Sequence, residues 1–536
     1  MNRLILIALL AAAFCAPSMA AETAALPPID KIEIRNGAFY VNEQPFFPIM
    51  IWLQQAGDFE AARRCGINTV AGYWTGSSGT KDVAEYLDLV KKAGFYGVMP
   101  FDQRLKNRRD LLGYIHEDEP DLPHQVSDAE VAAGEGLRVN SSTPLWKIVD
   151  GVTHSWSVLD PMEGAEIMIR LRQPVTVERL VVWPTISEGL AVAKEVSFAA
   201  EGKEIARATL ESKKGPQSLP LARPATFREL KLTVHSAYPG KQPWGSLGEI
   251  EGYDSSGNNV LLSPPRHEPR AMPAESLRAY ETMKAGDPSR PVFMTLTGHF
   301  HPHFDKWSEE QRTSLYPAYL QATDVVGYDI YPIYGWNKPE WIHLVQEATG
   351  QLVAMAGGRP VYAWIETSKG SQWTGALERQ RDVKPEHIRA EVWMALCRGA
   401  TAIGYFTHIW KPSYSPFGVP EENRRAMGEI NRQITRLTPV LLAPAARQAV
   451  RVSADPEARV DFMAREHEDV LYVFAVNYDP RAVDSKVTVA VPGLRRGAKV
   501  EVIDEQRSVE ATDGSFTDHF KPFDVHLYRC EPAPGR

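Results

Sequence analysis

Short, nearly continuous apolar runs alternate with amphipathic stretches over much of this chain. The runs FPIMIW (47–52), NTVAGYW (68–74), GVMPF (97–101) and LLGYIHE (111–117) come first. After an interruption follow PVFMTLT (291–297), VVGYDIYP (325–332), VYAWIE (361–366) and AIGYFTHIW (402–410). Apolar residues at helical spacing lie between most of them, over 57–65, 81–93, 274–285, 308–321, 339–356 and 385–399. Strands apolar at nearly every position are buried on both faces, as parallel strands joined by helices are. Eight such units predict an α/β fold, a (β/α)8 TIM barrel. The crossover between the third and fourth runs has only about ten residues, close to the shortest a parallel connection allows. A doubly wound open sheet is the alternative that this leaves.

The flanks of the pattern differ in period. Residues 32–47, IEIRNGAFYVNEQPFF, alternate as a hairpin about an Asn36-Gly37 turn. Between 126 and 265 the segments AEIMIRLRQPVTVERLVVWP, EVSFAAEGKEIARATL and TFRELKLTVHSAY alternate with period two, which predicts a β-sandwich inserted directly after strand four. A helix over 421–442 closes the barrel, and the chain from 444 onward returns to alternating β segments, a C-terminal antiparallel β-sandwich. The expected organisation is therefore a signal peptide (1–20), a first barrel half with its hairpin (28–125), the insert (126–265), a second barrel half (266–443) and the C-terminal sandwich (444–536). The insert's opening IVDGVTHSWSV and its close LGEIEGYD resemble the discoidin-like, galactose-binding-like β-sandwiches, a resemblance that implies carbohydrate binding or a purely domain-joining role.

Composition narrows the classes. A formal charge of −8 shows no basic surplus and argues against nucleic acid as a partner. The first residues have the three parts of a secretory signal: Asn2-Arg3, an apolar run from Leu4 to Phe14, and Ser18-Met19-Ala20 before a cleavage point. The expected location is periplasmic or secreted, with no membrane span. Cys65, Cys397 and Cys530 remain after cleavage, too few and too scattered for a disulfide framework or a metal site. Thirteen tryptophans in the chain suit clefts that stack on sugar rings as well as they suit cores.

In a parallel barrel the chemistry sits at the C-terminal strand ends. Those ends carry Trp52, Tyr73-Trp74, Phe101-Asp102, His116 to Glu119, His299 and His301, Asp329 and Tyr331, Glu366, and His408 with Trp410. Carboxylates among aromatics suit glycoside hydrolysis, which commonly needs one protonated and one ionised carboxyl group across the scissile bond. Glu119 and Glu366, on strands four and seven, are the expected pair. Standing roughly 5 Å apart they would give retention through a covalent intermediate. Glu117 shares the parity of Glu119 and is its rival.

HEDEP at the end of strand four and VYAWIET at the end of strand seven resemble the retaining barrel glycoside hydrolases of clan A, over roughly 30–125 and 266–440. The resemblance implies Glu119 as acid/base, Glu366 as nucleophile and a β-linked oligosaccharide or polysaccharide substrate. It also implies Asp118 against the sugar 2-hydroxyl, Tyr331 as hydrogen-bond donor to the nucleophile, and Trp410 in the sugar-binding floor. Trp52, Trp74, His299 and Asp329 join the candidate substrate contacts. Asp118 stands where the clan has Asn, and NTVAGYW lacks the Arg that the clan often places near the nucleophile.

No cofactor is expected. Two other readings stay open: a non-catalytic carbohydrate-binding barrel, and a metal-dependent hydrolase using His299, His301 and His303. In the insert, Trp156 and Trp244 face either a ligand or the core. Oligomeric state is not legible.

Overall fold

All eight apolar runs form strands, and in the computed structural model, which describes residues 26–76, 82–455, 458–481 and 484–531, they close into one parallel barrel. The expected signal segment lies outside the described residues. The barrel strands are β1 (Ile49–Trp52), β2 (Thr69–Ala71), β3 (Tyr96–Met99), β4 (Leu111–Ile115), β5 (Val292–Thr297), β6 (Val325–Asp329), β7 (Val361–Glu366) and β8 (Ala402–Phe406). Closure comes from β8 pairing with β1, Ile403 to Tyr405 against Ile49 to Ile51. Around them lie α1 (Phe59–Arg64), α2 (Val83–Lys92), α3 (Pro273–Gly286), α4 (Glu309–Leu320), α5 (His343–Met355), α6 (Pro385–Cys397) and α7 (Glu421–Leu441). The open-sheet alternative is excluded.

Strand alternation explains the apolar runs. On β7, Val361, Ala363 and Ile365 pack outward against the helices, while Tyr362 and Trp364 fill the lumen with Met50, Trp52 and Phe293. Gly327 and Gly404 make room for those two rings, since a Cβ at either would come within 2.0 Å of Tyr362 or 2.1 Å of Trp364.

Two expectations are corrected. No α-helix joins β3 to β4; a single 3₁₀ turn, Gln103–Leu105, makes the crossover, because so few residues cannot hold a longer element. The N-terminal hairpin is a three-stranded meander, Ile32–Arg35, Ala38–Val41 and Gln44–Phe46. A second turn at Asn42-Glu43, with φ of 51° and 68°, splits what reads in sequence as one strand.

Leu122–Arg270 forms a compact unit by itself. Eight of its ten strands are hydrogen-bonded into one continuous sheet, because Glu166–Pro184 and Gln217–Tyr238 continue through register shifts near Arg170 and Val177, and Pro123–Val126 pairs separately with Arg266–Pro269. Ile167, Ile169, Leu180, Phe198, Leu230 and Leu232 lie in its core. In the C-terminal region a three-stranded and a five-stranded antiparallel sheet share the core of Val473, Val489, Val500 and Tyr528.

Candidate active site

The acidic run begins as β4 ends. His116 turns outward, its Nε2 at 2.8 Å from the Ala322 carbonyl oxygen, and burial holds its pKa below the ordinary histidine value. Glu117 is exposed, Asp118 and Glu119 are partly buried, and Asp121 is wholly enclosed. The Asp121 carboxylate accepts from the Thr297 N–H (2.8 Å), the Thr297 hydroxyl (2.6 Å) and the Tyr316 hydroxyl (2.9 Å). These bonds staple the turn to the end of β5 and to α4. Burial still pushes Asp121 up to about 6, against the hydrogen bonds that favour its charge. So anchored, the turn holds Glu119 at φ 51°, a left-handed conformation that costs a non-glycine residue of order 1–3 kcal/mol.

Glu119 meets Asp329, the last residue of β6. The two carboxyls are hydrogen-bonded, and Asp329 is held well above the usual carboxylate range, first by burial and then by the charges of Glu119 and Asp118. A second charge so close to the first is costly, and Asp329 is the group that keeps its proton. Beside them Tyr331 is buried and stacks on Phe406 with ring centroids 4.8 Å apart. Its phenol is driven upward by burial and by Asp329, Asp118 and Glu119.

Glu366 does not join this group. It is 0% exposed, and its carboxylate accepts the N–H of Ile333 (2.9 and 3.1 Å) and of Tyr334. Its other neighbour is Glu391 of α6, also 0% exposed. Burial pushes Glu366 up to about 7 against those N–H groups. Glu391 is carried well above its usual range by burial and by the Glu366 charge. The contacts of Glu366 are thus with two loop N–H groups and with Glu391 of α6, while Glu119 meets Asp329. Tyr331 stands within reach of the charges of Asp329, Asp118 and Glu119.

The aromatic candidates divide. Trp52 belongs to the lumen, edge-on to Trp364 at 5.5 Å. Trp74 lies parallel to Tyr414 (6.1 Å, 4°), and Trp410 packs near Phe406, Tyr414 and Trp373. Trp373 (59% exposed) and Tyr414 (46%) offer the most open faces of this group; sequence reasoning missed both, since nothing in their local pattern marks exposure. His408 directs Tyr414. Its Nε2 lies 3.1 Å from the carbonyls of Trp52 and Leu53 and so carries the proton, leaving Nδ1 to accept from the Tyr414 hydroxyl at 3.2 Å.

The three clustered histidines diverge. His299 sits edge-on to Phe304, His301 has its Nε2 at 3.7 Å from Glu347, and His303 packs on Trp341 at 4.5 Å. Among the described residues no three His, Cys, Asp or Glu side chains converge as a metal ion requires. In the insert Trp156 is exposed (47%), and Trp244 is partly buried.

No family model matches the chain, and no curated protein matches it. Among solved structures it is similar to an Anoxybacillus alpha-amylase at 12% identity and TM-score 0.35, over 50% of this chain and 58% of that one. It is also similar to the family 32 CBM of Clostridium perfringens NanJ in complex with galactose, at 13% identity and TM-score 0.20, over 24% of this chain and 98% of that one. A third likeness, to the CBM32 and M60 catalytic domains of Clostridium perfringens ZmpB, has 16% identity and TM-score 0.21 and covers 26% of this chain and 17% of that one. These likenesses are partial, and the site's own geometry is what bears on function.

Proposed function

We propose that the chain is a glycoside hydrolase that cleaves a β-linked glycan with retention, Glu119 protonating the leaving oxygen. The observation that carries this reading is the hydrogen-bonded Glu119–Asp329 pair at the ends of β4 and β6. Asp329, held well above the usual carboxylate range, keeps a proton within the pair, which general-acid cleavage requires. Asp118, whose negative charge already bears on Asp329, is the group left to face positive charge at the anomeric carbon. Retention would need the acid and the carboxylate facing the anomeric carbon about 5–5.5 Å apart, so that the carboxylate attacks carbon as the leaving oxygen takes the proton and water later displaces it. Trp373, Trp410, Tyr414 and Trp74 form the platform on which a sugar ring stacks.

A screen of aryl β-glycosides and β-linked oligosaccharides, with wild type, Glu119→Gln and Asp329→Asn, tests this. Proton NMR of the first-formed anomer reads the stereochemistry. Activity that needs Glu119 and releases the β-anomer supports the proposal; full activity in Glu119→Gln ends it. A chelator arm separates the metal-dependent reading.

The enclosed Glu366 favours a second reading, a carbohydrate-binding barrel without turnover. Calorimetric binding of a β-linked oligosaccharide with no product over days would establish that alternative. Export belongs to the proposal too, and N-terminal sequencing of the mature protein checks for cleavage near Ala20.

A further inference from the structure

An ionisable group with no exposed surface is costly, because taking a charge out of water carries a penalty of several kcal/mol even after relaxation. Glu366 is such a group, and Glu391 beside it is a second. What Glu366 receives in return is specific. Ile333 and Tyr334 are consecutive, and their N–H groups point at one carboxylate, a concavity suited to an anion.

Those two amides belong to a tight turn after β6. The N–H of Gly335 donates to the Tyr331 carbonyl at 2.7 Å, that of Asn337 to Ile333 at 2.8 Å and that of Lys338 to Pro332 at 2.9 Å. Ile333 and Tyr334 are among the leading N–H groups of this coil, for which it has no carbonyl of its own. The same turn carries two aromatic side chains at the candidate site and a third beside it. Tyr331 stands beside Asp329. Tyr334 packs on Phe406 (5.4 Å) and Trp373 (5.9 Å). Trp336 lies on Phe304 at 5.2 Å and is 38% exposed.

We propose that Glu366 is a positioning residue: its carboxylate, by receiving the Ile333 and Tyr334 N–H groups, fixes the aromatic turn Tyr331–Trp336 in the arrangement that substrate meets. This rests on the glycosidase reading for its kinetic consequence, but not for its structural one. Glu391 is the neutral neighbour that lets Glu366 accept without a second buried charge. The strand-seven carboxylate therefore acts through the loop and never touches the reacting carbon.

Amide hydrogen exchange with peptide resolution over 331–342 tests the proposal in the full chain without any substrate. Glu366→Gln turns an acceptor into an N–H₂ group facing one of the two amides. Exchange at Ile333 and Tyr334 should rise at least tenfold, with the rest of the barrel unchanged. Glu366→Asp, which keeps the charge on a shorter stem, should give a smaller rise and covers the case in which the glutamine variant does not fold. Glu391→Gln, a neutral isostere, should keep the wild-type protection.

With the 4-nitrophenyl β-glycoside that wild type turns over fastest, positioning predicts that KM rises about tenfold in Glu366→Gln while kcat falls less. Unchanged exchange at 333 and 334 in both Glu366 variants overturns the proposal. So does a collapse of kcat at constant KM with azide rescue, which would make Glu366 the nucleophile. A rise in exchange spread over the whole barrel would reduce Glu366 to a general stability role and also overturns it. If no glycoside is cleaved, the exchange result still decides the positioning claim, and only the glycosidase reading fails.

Discussion

Glu366 in the barrel unit and Glu249 in the inserted unit are both fully enclosed glutamates with a second carboxyl close by, Glu391 in one and Asp150 in the other. In each pair one member collects the donors. Glu366 takes two backbone N–H groups, while neither Glu391 oxygen has a well-formed hydrogen bond. In the insert Asp150 accepts from the Val152 N–H at 2.8 Å and the Ser155 hydroxyl at 3.1 Å. Glu249 has a single N–H, from Gly151 at 2.9 Å, and one oxygen without a partner. The proton then falls to the carboxyl with fewer donors, Glu391 in the barrel and Glu249 in the insert. The difference lies in what the carboxyl with more donors holds. Asp150 organises a turn of its own unit, whereas Glu366 organises the turn that carries Tyr331 and Tyr334 into the candidate site. A buried carboxylate is thus no sign of catalysis until the destination of its hydrogen bonds is known.

The largest expected effect separates the two units outright. Glu119→Gln should lower kcat/KM on a cleaved glycoside by about 10³-fold, within the span of general-acid contributions. Glu249→Gln should leave it unchanged. Circular dichroism would confirm that both variants fold, and equal losses would erase the functional contrast. Next in size, Asp329→Asn should cost about 10²-fold and move the alkaline limb of the pH–rate profile downward. Asp329 is the group held well above the usual carboxylate range, so its replacement takes that high-titrating acid out of the profile.

Stability against pH should distinguish the units as well. Burial raises Glu249 from 4.5 to about 8, and the native insert holds that proton more tightly than the unfolded chain does. Its contribution is complete below about 4.5 and is lost as pH rises to about 8. In the barrel the corresponding loss for Glu366 ends near 7, while Glu391 and Asp329, held well above their usual range, continue to contribute at higher pH. Segment-resolved hydrogen exchange, corrected for intrinsic rates, should show the insert loosening further between pH 7 and 8, and Glu249→Gln should flatten that slope.

The smallest effect concerns exposed tryptophan. Trp373→Ala should weaken oligosaccharide binding at the barrel by about 1 kcal/mol. Trp156→Ala should leave that affinity alone, and titration calorimetry reads both. An equal loss from Trp156→Ala would move recognition into the insert.

Much of the scaffold was legible because barrel strands are apolar at nearly every position, and that pattern survives without knowledge of partners. The acidic turn was legible for the same reason, since it follows a strand whose end is fixed by its period. Three things were not. The turn at Asn42-Glu43 needs two left-handed residues, of which only Asn signals the conformation. Asp121 reads as one more acid in the run until Thr297 and Tyr316 arrive from elsewhere in the chain. Glu366 sits at a strand end where a nucleophile belongs, yet its direction is set by amides of the preceding loop and by Glu391 on the following helix. Neither leaves a mark beside residue 366 itself.

The left-handed backbone at Glu119 carries a consequence for the history of such a chain. Glycine adopts that conformation without a Cβ penalty, so Glu119→Gly should melt no lower than the wild type while losing the proton donor. Glutamate and glycine codons differ by one nucleotide. A sugar-cleaving ancestor and a sugar-holding descendant would then stand a single mutation apart, with folding offering no resistance to the crossing.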